Sequence, residues 1–121
     1  MKIQLLFFIL FVRFLSFSQI PNYVPTNGLV GWWPFTGNAN DLSGNGNNGT
    51  VNGATLTTDR FGSPNCAYLF NGNSNIVVPY NQNQTIIGAG TWSLWVNASL
   101  FPNNGNQSHL ISKYNSIKNL R

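Results

Sequence analysis

The two acidic residues of the chain, Asp41 and Asp59, are the only carboxylate side chains that could do acid–base chemistry. Glycoside hydrolysis uses two carboxylates about 5 to 10 Å apart, so this pair would have to supply both groups. Each aspartate lies in a turn-rich segment, where hydrogen bonds that hold a turn are the ordinary role of an Asp side chain. We therefore expect no hydrolysis and no other enzymatic activity from this chain.

The single histidine and the single cysteine offer little further chemistry. His109 could join a Ser-His-Asp arrangement only with a positioned serine, and no Gly-x-Ser-x-Gly nucleophile elbow is present. One cysteine and one histidine cannot fill the four positions around zinc. We expect His109 at the start of a strand and Cys66 as a small buried strand residue without a disulfide partner in the chain.

Residues 38–45, NANDLSGN, are the best candidate for an ion site. Calcium takes six to eight oxygen ligands and accepts amide and backbone carbonyls beside a carboxylate. Asp41 would be the one anionic ligand, with Asn38 and Asn40 supplying amide oxygens. The alternative is a network of Asx turns that holds the loop without metal, and a single carboxylate, which gives weak affinity, favours it.

Aromatic and amide side chains are the groups that sugar binding needs, and the chain is rich in both, with aromatics at 14% of positions. The candidates for a stacking platform are Trp33, Tyr80, Trp95 and Tyr114. Their candidate polar neighbours are Asn73, Asn75 and Asn97. The alternative is that all four tryptophans are packing residues of the core.

The charge pattern argues against nucleic acid as a partner. The formal net charge is +4, but Lys2 and Arg13 lie in the leader segment described next. The four remaining cations are scattered and form no stripe that could follow a phosphate backbone.

Residues 1–18 have the pattern of a secretory signal peptide: a basic start, an apolar run, and small residues before a cleavage point after Ser18 or Gln19. The apolar run is shorter than the roughly 18 to 20 residues that span a bilayer. We expect export to the cell surface or medium, and no transmembrane segment in the mature chain. Residues 19–27, with two prolines, are predicted to be a short extended linker.

The mature chain alternates apolar clusters with Asn-Gly pairs, which suit tight turns, and shows no helical period. Six strands are predicted, at residues 29–35, 50–56, 67–70, 76–78, 91–96 and 109–114. In the fifth strand Trp92 and Leu94 share one face and Trp95 lies on the other, so we expect a strand covered on both sides or one that exposes Trp95. Short strands with frequent turns predict an all-β antiparallel sandwich or barrel.

The stretch GLVGWWPFTGNANDLSGNGNNGTVNGATLTTDRFGSPNCAYLFNG, residues 28–72, resembles the concanavalin A-like, LamG-type jelly-roll modules of secreted bacterial surface proteins. TWSLWVNAS and HLISKY are similar to the next two strands of that family. The resemblance implies a jelly-roll β-sandwich of two antiparallel sheets, often with a calcium ion, in a multidomain surface protein. Residues 28–121 would be its N-terminal part, and the strands that close the sandwich are absent from them.

The chain departs from the family after the Phe-x-Gly turn at residues 70–72, where Asn-Ser-Asn stands in place of an acidic residue. The resemblance implies a non-catalytic binding module, secreted or at the cell surface, that recognises carbohydrate or an extracellular matrix or adhesion partner. Two alternatives stay open: a structural spacer or adhesin segment without a ligand, and a fragment of a larger extracellular glycoside-active protein.

Overall fold

The computed structural model describes residues 20–99 and 109–113. The regular elements are β1 (Thr50–Asn52), β2 (Thr55–Thr57), β3 (Ala67–Leu69), β4 (Asn75–Val77) and one 3-10 turn (Gln82–Gln84). The described chain is therefore a small β-rich fold. It divides into two compact units, one ending at Gly88 and the other beginning at Ala89.

The centre of the first unit is a long, interrupted β-hairpin. β1 pairs antiparallel with β4, with Val51 opposite Ile76, and β2 pairs antiparallel with β3, with Leu56 opposite Tyr68. Residues 53–54 separate β1 from β2, whereas the longer stretch 70–74 separates β3 from β4. Residues 70–74, between β3 and β4, must therefore bulge relative to residues 53–54. Gly53, between β1 and β2, has a φ of +74°, which favours glycine.

Asp59 organises the loop that closes this hairpin. Its Oδ1 accepts hydrogen bonds from the backbone N–H groups of Phe61 and Ser63, both at 2.8 Å. Its own backbone N–H donates to the Ser63 carbonyl at 3.0 Å. The predicted role of Asp59 in holding a turn is confirmed. Cys66 is half-buried and immediately precedes β3 instead of lying in a strand, and its thiol donates to the Pro64 carbonyl at 3.3 Å.

The chain packs closely where the loop before β1 meets β4. Ala39 is buried, and a Cβ added to Gly49 would stand 2.7 Å from Ile76 Cγ2 and 3.1 Å from Ala39 Cβ. Gly49 therefore lets the chain pass close to both side chains. A second contact joins the hairpin to the preceding turn, because the Phe35 and Tyr68 rings meet edge to face at 5.3 Å.

Three of the predicted strands are confirmed with small shifts in their ends. Residues 50–56 form β1 and β2, residues 67–70 contain β3, and residues 76–78 overlap β4. Residues 20–27 are the described part of the predicted linker, which stays a prediction. Two turns, closed by Val24 N to Pro21 O and Leu29 N to Thr26 O, show that its backbone is not extended throughout.

The predicted strand at residues 29–35 is wrong, because its backbone groups are bonded to a loop instead of a strand. Trp32 N donates to the Asp41 carboxylate and Trp32 O accepts from Leu42 N. The Val30 carbonyl accepts from the Asn47 side-chain amide. Groups of the loop, mostly side chains, thus take the hydrogen bonds that a neighbouring strand would otherwise take.

The predicted strand at residues 91–96 is also wrong, since the described part of the second unit contains no paired strand. Trp92, Leu94 and Val96 are about half exposed and Trp95 is 83% exposed, which agrees with the expected exposure of Trp95 and not with a strand covered on both sides. The described residues 109–113 likewise form no strand, and His109 is exposed. A strand is stabilised by neighbours that take its hydrogen bonds and cover its side chains.

No helix among residues 20–99 and 109–113 is long and apolar enough to cross a membrane. The predicted signal peptide, residues 1–18, lies outside the described residues.

Candidate binding groove

The Asp41 carboxylate is the centre of the loop that precedes β1. It is 8% exposed, and its Oδ1 accepts from the backbone N–H groups of Trp32 and Ser43, both at 2.9 Å. Its Oδ2 accepts from the Ser43 hydroxyl at 2.8 Å and from Asn47 N at 2.9 Å. A carboxylate has about four lone-pair sites, so every acceptor site of Asp41 is used.

These hydrogen bonds lower the pKa of Asp41 despite its burial. Burial is the largest single influence and raises the pKa, but the donors from Trp32, Ser43 and Asn47 together outweigh it. No cationic side chain in the described residues contributes to the shift. The group is thus held ionised by dipoles alone and carries a full negative charge at neutral pH.

Acid should therefore destabilise the protein. A carboxylate with a lowered folded pKa contributes stability that is complete above its unfolded pKa of about 3.9 and is lost as the pH falls through the folded value. We expect a melting temperature that falls below about pH 4. Asp59, whose pKa is lowered mainly by the Ser63 N–H, acts in the same direction. A melting temperature that rises on acidification below that pH would contradict this assignment.

Two asparagines extend the Asp41 network toward the surface. Asn48 Oδ1 accepts from Asp41 N at 2.9 Å. Asn47 is 3% exposed, and its side-chain amide donates to the Val30 carbonyl at 2.8 Å. Its backbone carbonyl accepts from the Trp33 indole N–H at 2.8 Å. Residues 30–33 therefore hold the loop through hydrogen bonds to both Asp41 and Asn47.

Asn38 and Asp41, two of the residues predicted to bind calcium, accept the backbone hydrogen bonds of Asx turns. Asn38 Oδ1 accepts from Asn40 N at 2.9 Å, in addition to the four bonds at Asp41. No group of three or more His, Cys, Asp or Glu side chains gathers among residues 20–99 and 109–113. A calcium ion at Asp41 would have to displace donors already in place, so the contacts favour the metal-free alternative.

Thermal unfolding in excess calcium and in excess chelator tests this alternative. We expect the two melting temperatures to agree within measurement error, because the loop oxygens already have protein partners. Barium or magnesium in place of calcium serves as the control for a non-specific salt effect. A rise in melting temperature specific to calcium would contradict the metal-free loop and restore the ion site.

The register of the hairpin brings this loop beside a distant segment. β1 begins directly after the loop and β4 ends just before Pro79, and Thr50 pairs with Val77. Because the two strands are antiparallel, the chain that enters β1 lies beside the chain that leaves β4. An open groove of about 300 Å³ is formed there. Its lining residues are Gly46, Asn47, Asn48, Pro79, Tyr80, Asn81 and Gln82.

Tyr80 is the one aromatic side chain of the groove and is 74% exposed. Its hydroxyl lies 3.1 Å from the Thr85 hydroxyl, which holds the far end of the ring. The Gln84 side-chain amide donates to the Pro79 carbonyl at 3.2 Å. The ring therefore projects from a braced segment while its face stays open to solvent.

The lining segment at residues 79–82 leads into Asn83, which is hydrogen-bonded to the loop that precedes β1. Asn81 caps the 3-10 turn by accepting from Asn83 N. The Asn47 side-chain amide donates to Asn83 Oδ1 at 3.3 Å. Asn47 Oδ1, by contrast, is a buried acceptor without a hydrogen-bond partner. Such a buried, unpaired acceptor carries a desolvation cost.

Two of the predicted aromatic candidates, Tyr80 and Trp33, belong to the first unit. Tyr80 lines the groove, and Trp33 contributes indirectly by bonding to the Asn47 carbonyl. Trp33 is half-buried, and its ring lies so close to Gly31 that an added Cβ would overlap three ring atoms. Trp95 belongs to the second unit, and Tyr114 lies outside the described residues.

The amides of the groove differ from those proposed from the sequence. Asn75 Oδ1 accepts from the Asn52 side chain across the β1–β4 pair, and Asn73 N donates to Asn71 Oδ1 in a turn. Asn97 lies in the second unit. The amides that line the groove are Asn47, Asn48, Asn81 and Gln82. The Tyr-Asn-Gln order of residues 80–82 was the sequence signal that could have indicated the groove, since it places an aromatic ring directly beside two amides.

Comparison of the chain with protein-family models, with curated proteins and with solved structures finds no match in any of the three. The resemblance to LamG-type modules therefore depends on the sequence motifs of residues 28–72, 91–99 and 109–114.

Proposed function

We propose that this chain is an exported, non-catalytic binding module that holds a saccharide against Tyr80 in the groove. The observation that carries the proposal is the combination of an exposed aromatic ring with the exposed amide residues Asn48, Asn81 and Gln82 in one braced groove. Sugar rings present apolar C–H faces that pack on an aromatic ring, and hydroxyls that pair with amides.

The module belongs, in this proposal, to a LamG-type jelly roll within a multidomain protein at the cell surface or in the medium. The motif order supports the family, and the antiparallel pairing of β1 with β4 and of β2 with β3 is what a jelly roll contains. The signal-peptide pattern of residues 1–18 supports export. An adhesion role through extracellular glycans follows from this location.

The carboxylates support the non-catalytic part of the proposal. Asp41 uses all its acceptor sites on its own loop, and Asp59 holds the hairpin loop. A general acid or a nucleophile must reach the substrate with a free oxygen or proton. Asp41 has no such freedom while its loop is intact. Asp59 on its own does not make the pair of carboxylates that hydrolysis uses.

Binding of the full secreted chain to immobilised polysaccharides tests the proposal. The panel should cover glucans, mannans, xylans, galactans, pectins and chitin, with retention measured against an uncoated surface and an unrelated secreted β-protein. We expect retention on at least one polysaccharide and its release by the matching soluble oligosaccharide. A chain that binds none of them would be better described as a structural spacer.

A further inference from the structure

We infer that the groove selects neutral saccharides and rejects acidic ones; this inference rests on the proposed function and narrows its ligand class. The groove is lined by three asparagines, one glutamine, one tyrosine, one proline and one glycine, and none of these side chains is charged. A carboxylate or sulfate placed there would lose hydration without gaining a cation, which is costly.

A negative charge lies behind the groove. Asp41 is bonded through its carboxylate to Asn47 N and through its own N–H to Asn48 Oδ1, so two lining residues contact it directly. No described cation contributes to the electrostatics of Asp41. An anionic sugar bound at Asn47 and Asn48 would therefore meet a like charge across a single layer of residues, which disfavours binding.

The hydrogen-bonding groups of the lining suit hydroxyl and amide substituents. Each Asn or Gln side chain offers one acceptor and two donors, and a sugar hydroxyl can serve as either partner. Of the lining amides, Asn48, Asn81 and Gln82 are exposed and can exchange hydrogen bonds with a ligand. Sugar hydroxyls can donate to the amide oxygens and accept from the amide N–H groups, whereas an ionised carboxylate can only accept.

Matched pairs of polysaccharides with one backbone and different charge test the inference. Methyl-esterified and de-esterified homogalacturonan form one pair, and hydroxyethyl and carboxymethyl cellulose form another. For each pair that binds, we expect the neutral member to bind at least about tenfold more tightly at low salt. The preference should shrink as salt screens the charge of the acidic member.

The two proposals fail in different ways in this experiment. Equal binding of both members, or preference for the acidic member, overturns the neutral selectivity and leaves the binding function standing. Absence of binding to every member of the pairs and of the wider panel overturns the binding function, and the selectivity with it.

Gln82→Lys adds a cation at an exposed position of the groove, so it tests whether a positive charge restores binding of acidic saccharides. We expect it to raise affinity for the acidic members about tenfold, with a strong salt dependence. Gln82→Met, which keeps the length without the charge, should show no such gain. Acidic-member affinity that is unchanged by Gln82→Lys in a folded variant would contradict the electrostatic argument and the location of the site.

Discussion

Replacing Asp41 by asparagine should lower the free energy of unfolding by about 2 to 4 kcal/mol. Asparagine keeps one acceptor oxygen, so the N–H groups of Trp32 and Ser43 can stay bonded. Its NH2 group, however, would face Asn47 N, a donor that now points at Oδ2 from 2.9 Å. That N–H would be left buried without an acceptor, and the charge-assisted part of all four bonds would be lost.

Asp59→Asn is the matched control, because it makes the same chemical change in a loop with a different geometry. Both backbone donors at Asp59, from Phe61 and Ser63, bond to the single atom Oδ1. An asparagine can retain both bonds, so the loss of stability should be clearly smaller. Urea or thermal unfolding followed by tryptophan fluorescence measures both variants. Equal losses, or no loss for Asp41→Asn, would contradict the central role of the Asp41 carboxylate.

Tyr80→Ala should weaken saccharide binding at least about tenfold, which corresponds to about 1.4 kcal/mol. The ring is the largest apolar surface that the groove offers, and its 74% exposure shows that the fold does not depend on burying it. The melting temperature should consequently stay close to that of the parent chain. Tyr80→Phe keeps the ring and loses only the contact with the Thr85 hydroxyl, so its affinity should stay within about twofold.

Two exposed aromatic residues outside the groove provide controls for Tyr80. Tyr23 is as exposed as Tyr80 but does not line the groove, and Trp95 is exposed in the second unit. Tyr23→Ala and Trp95→Ala should leave the affinity unchanged when measured by titration calorimetry with the best ligand of the panel. If Trp95→Ala removes binding while Tyr80→Ala preserves it, the ligand site lies in the second unit and the proposed groove is wrong.

The strands of the hairpin were predictable, but their pairing was not, because each strand carries its own sequence signals. β-branched and aromatic residues fill residues 50–56 and 67–70, and Asn-Gly pairs mark the interruptions. The role of Asp59 was predictable for a similar reason, since an Asx turn involves only the residues next to it. The local sequence is sufficient to predict features whose hydrogen-bonding partners lie within a few residues.

The groove was not predictable because it depends on register. Asn47 and Tyr80 are far apart in the sequence and become neighbours only when Thr50 pairs with Val77. A shift of the strands by a few residues would place other amides beside Tyr80. The sequence identified Tyr80 as a stacking residue but gave no means of choosing Asn47 and Asn48 over Asn73 and Asn75.

The strand predicted at residues 29–35 failed for a different physical reason. Its apolar pattern is that of a strand, but its backbone partners are the side chains of Asp41 and Asn47. A carboxylate and an amide can satisfy the same N–H and C=O groups that a neighbouring strand would. Residue patterns alone do not distinguish these two kinds of partner.

Nuclear magnetic resonance titration of the isotope-labelled chain with its best neutral oligosaccharide tests the central claim most directly. The side-chain amide signals of Asn47, Asn48, Asn81 and Gln82 report on the groove, and those of Asn52, Asn73 and Asn75 report on the hairpin away from it. We expect saturable shifts in the first group and in the Tyr80 ring, with the second group unmoved. Saturable shifts confined to the second group or to the Trp95 indole, with the groove signals unmoved, would contradict the assignment of the binding site.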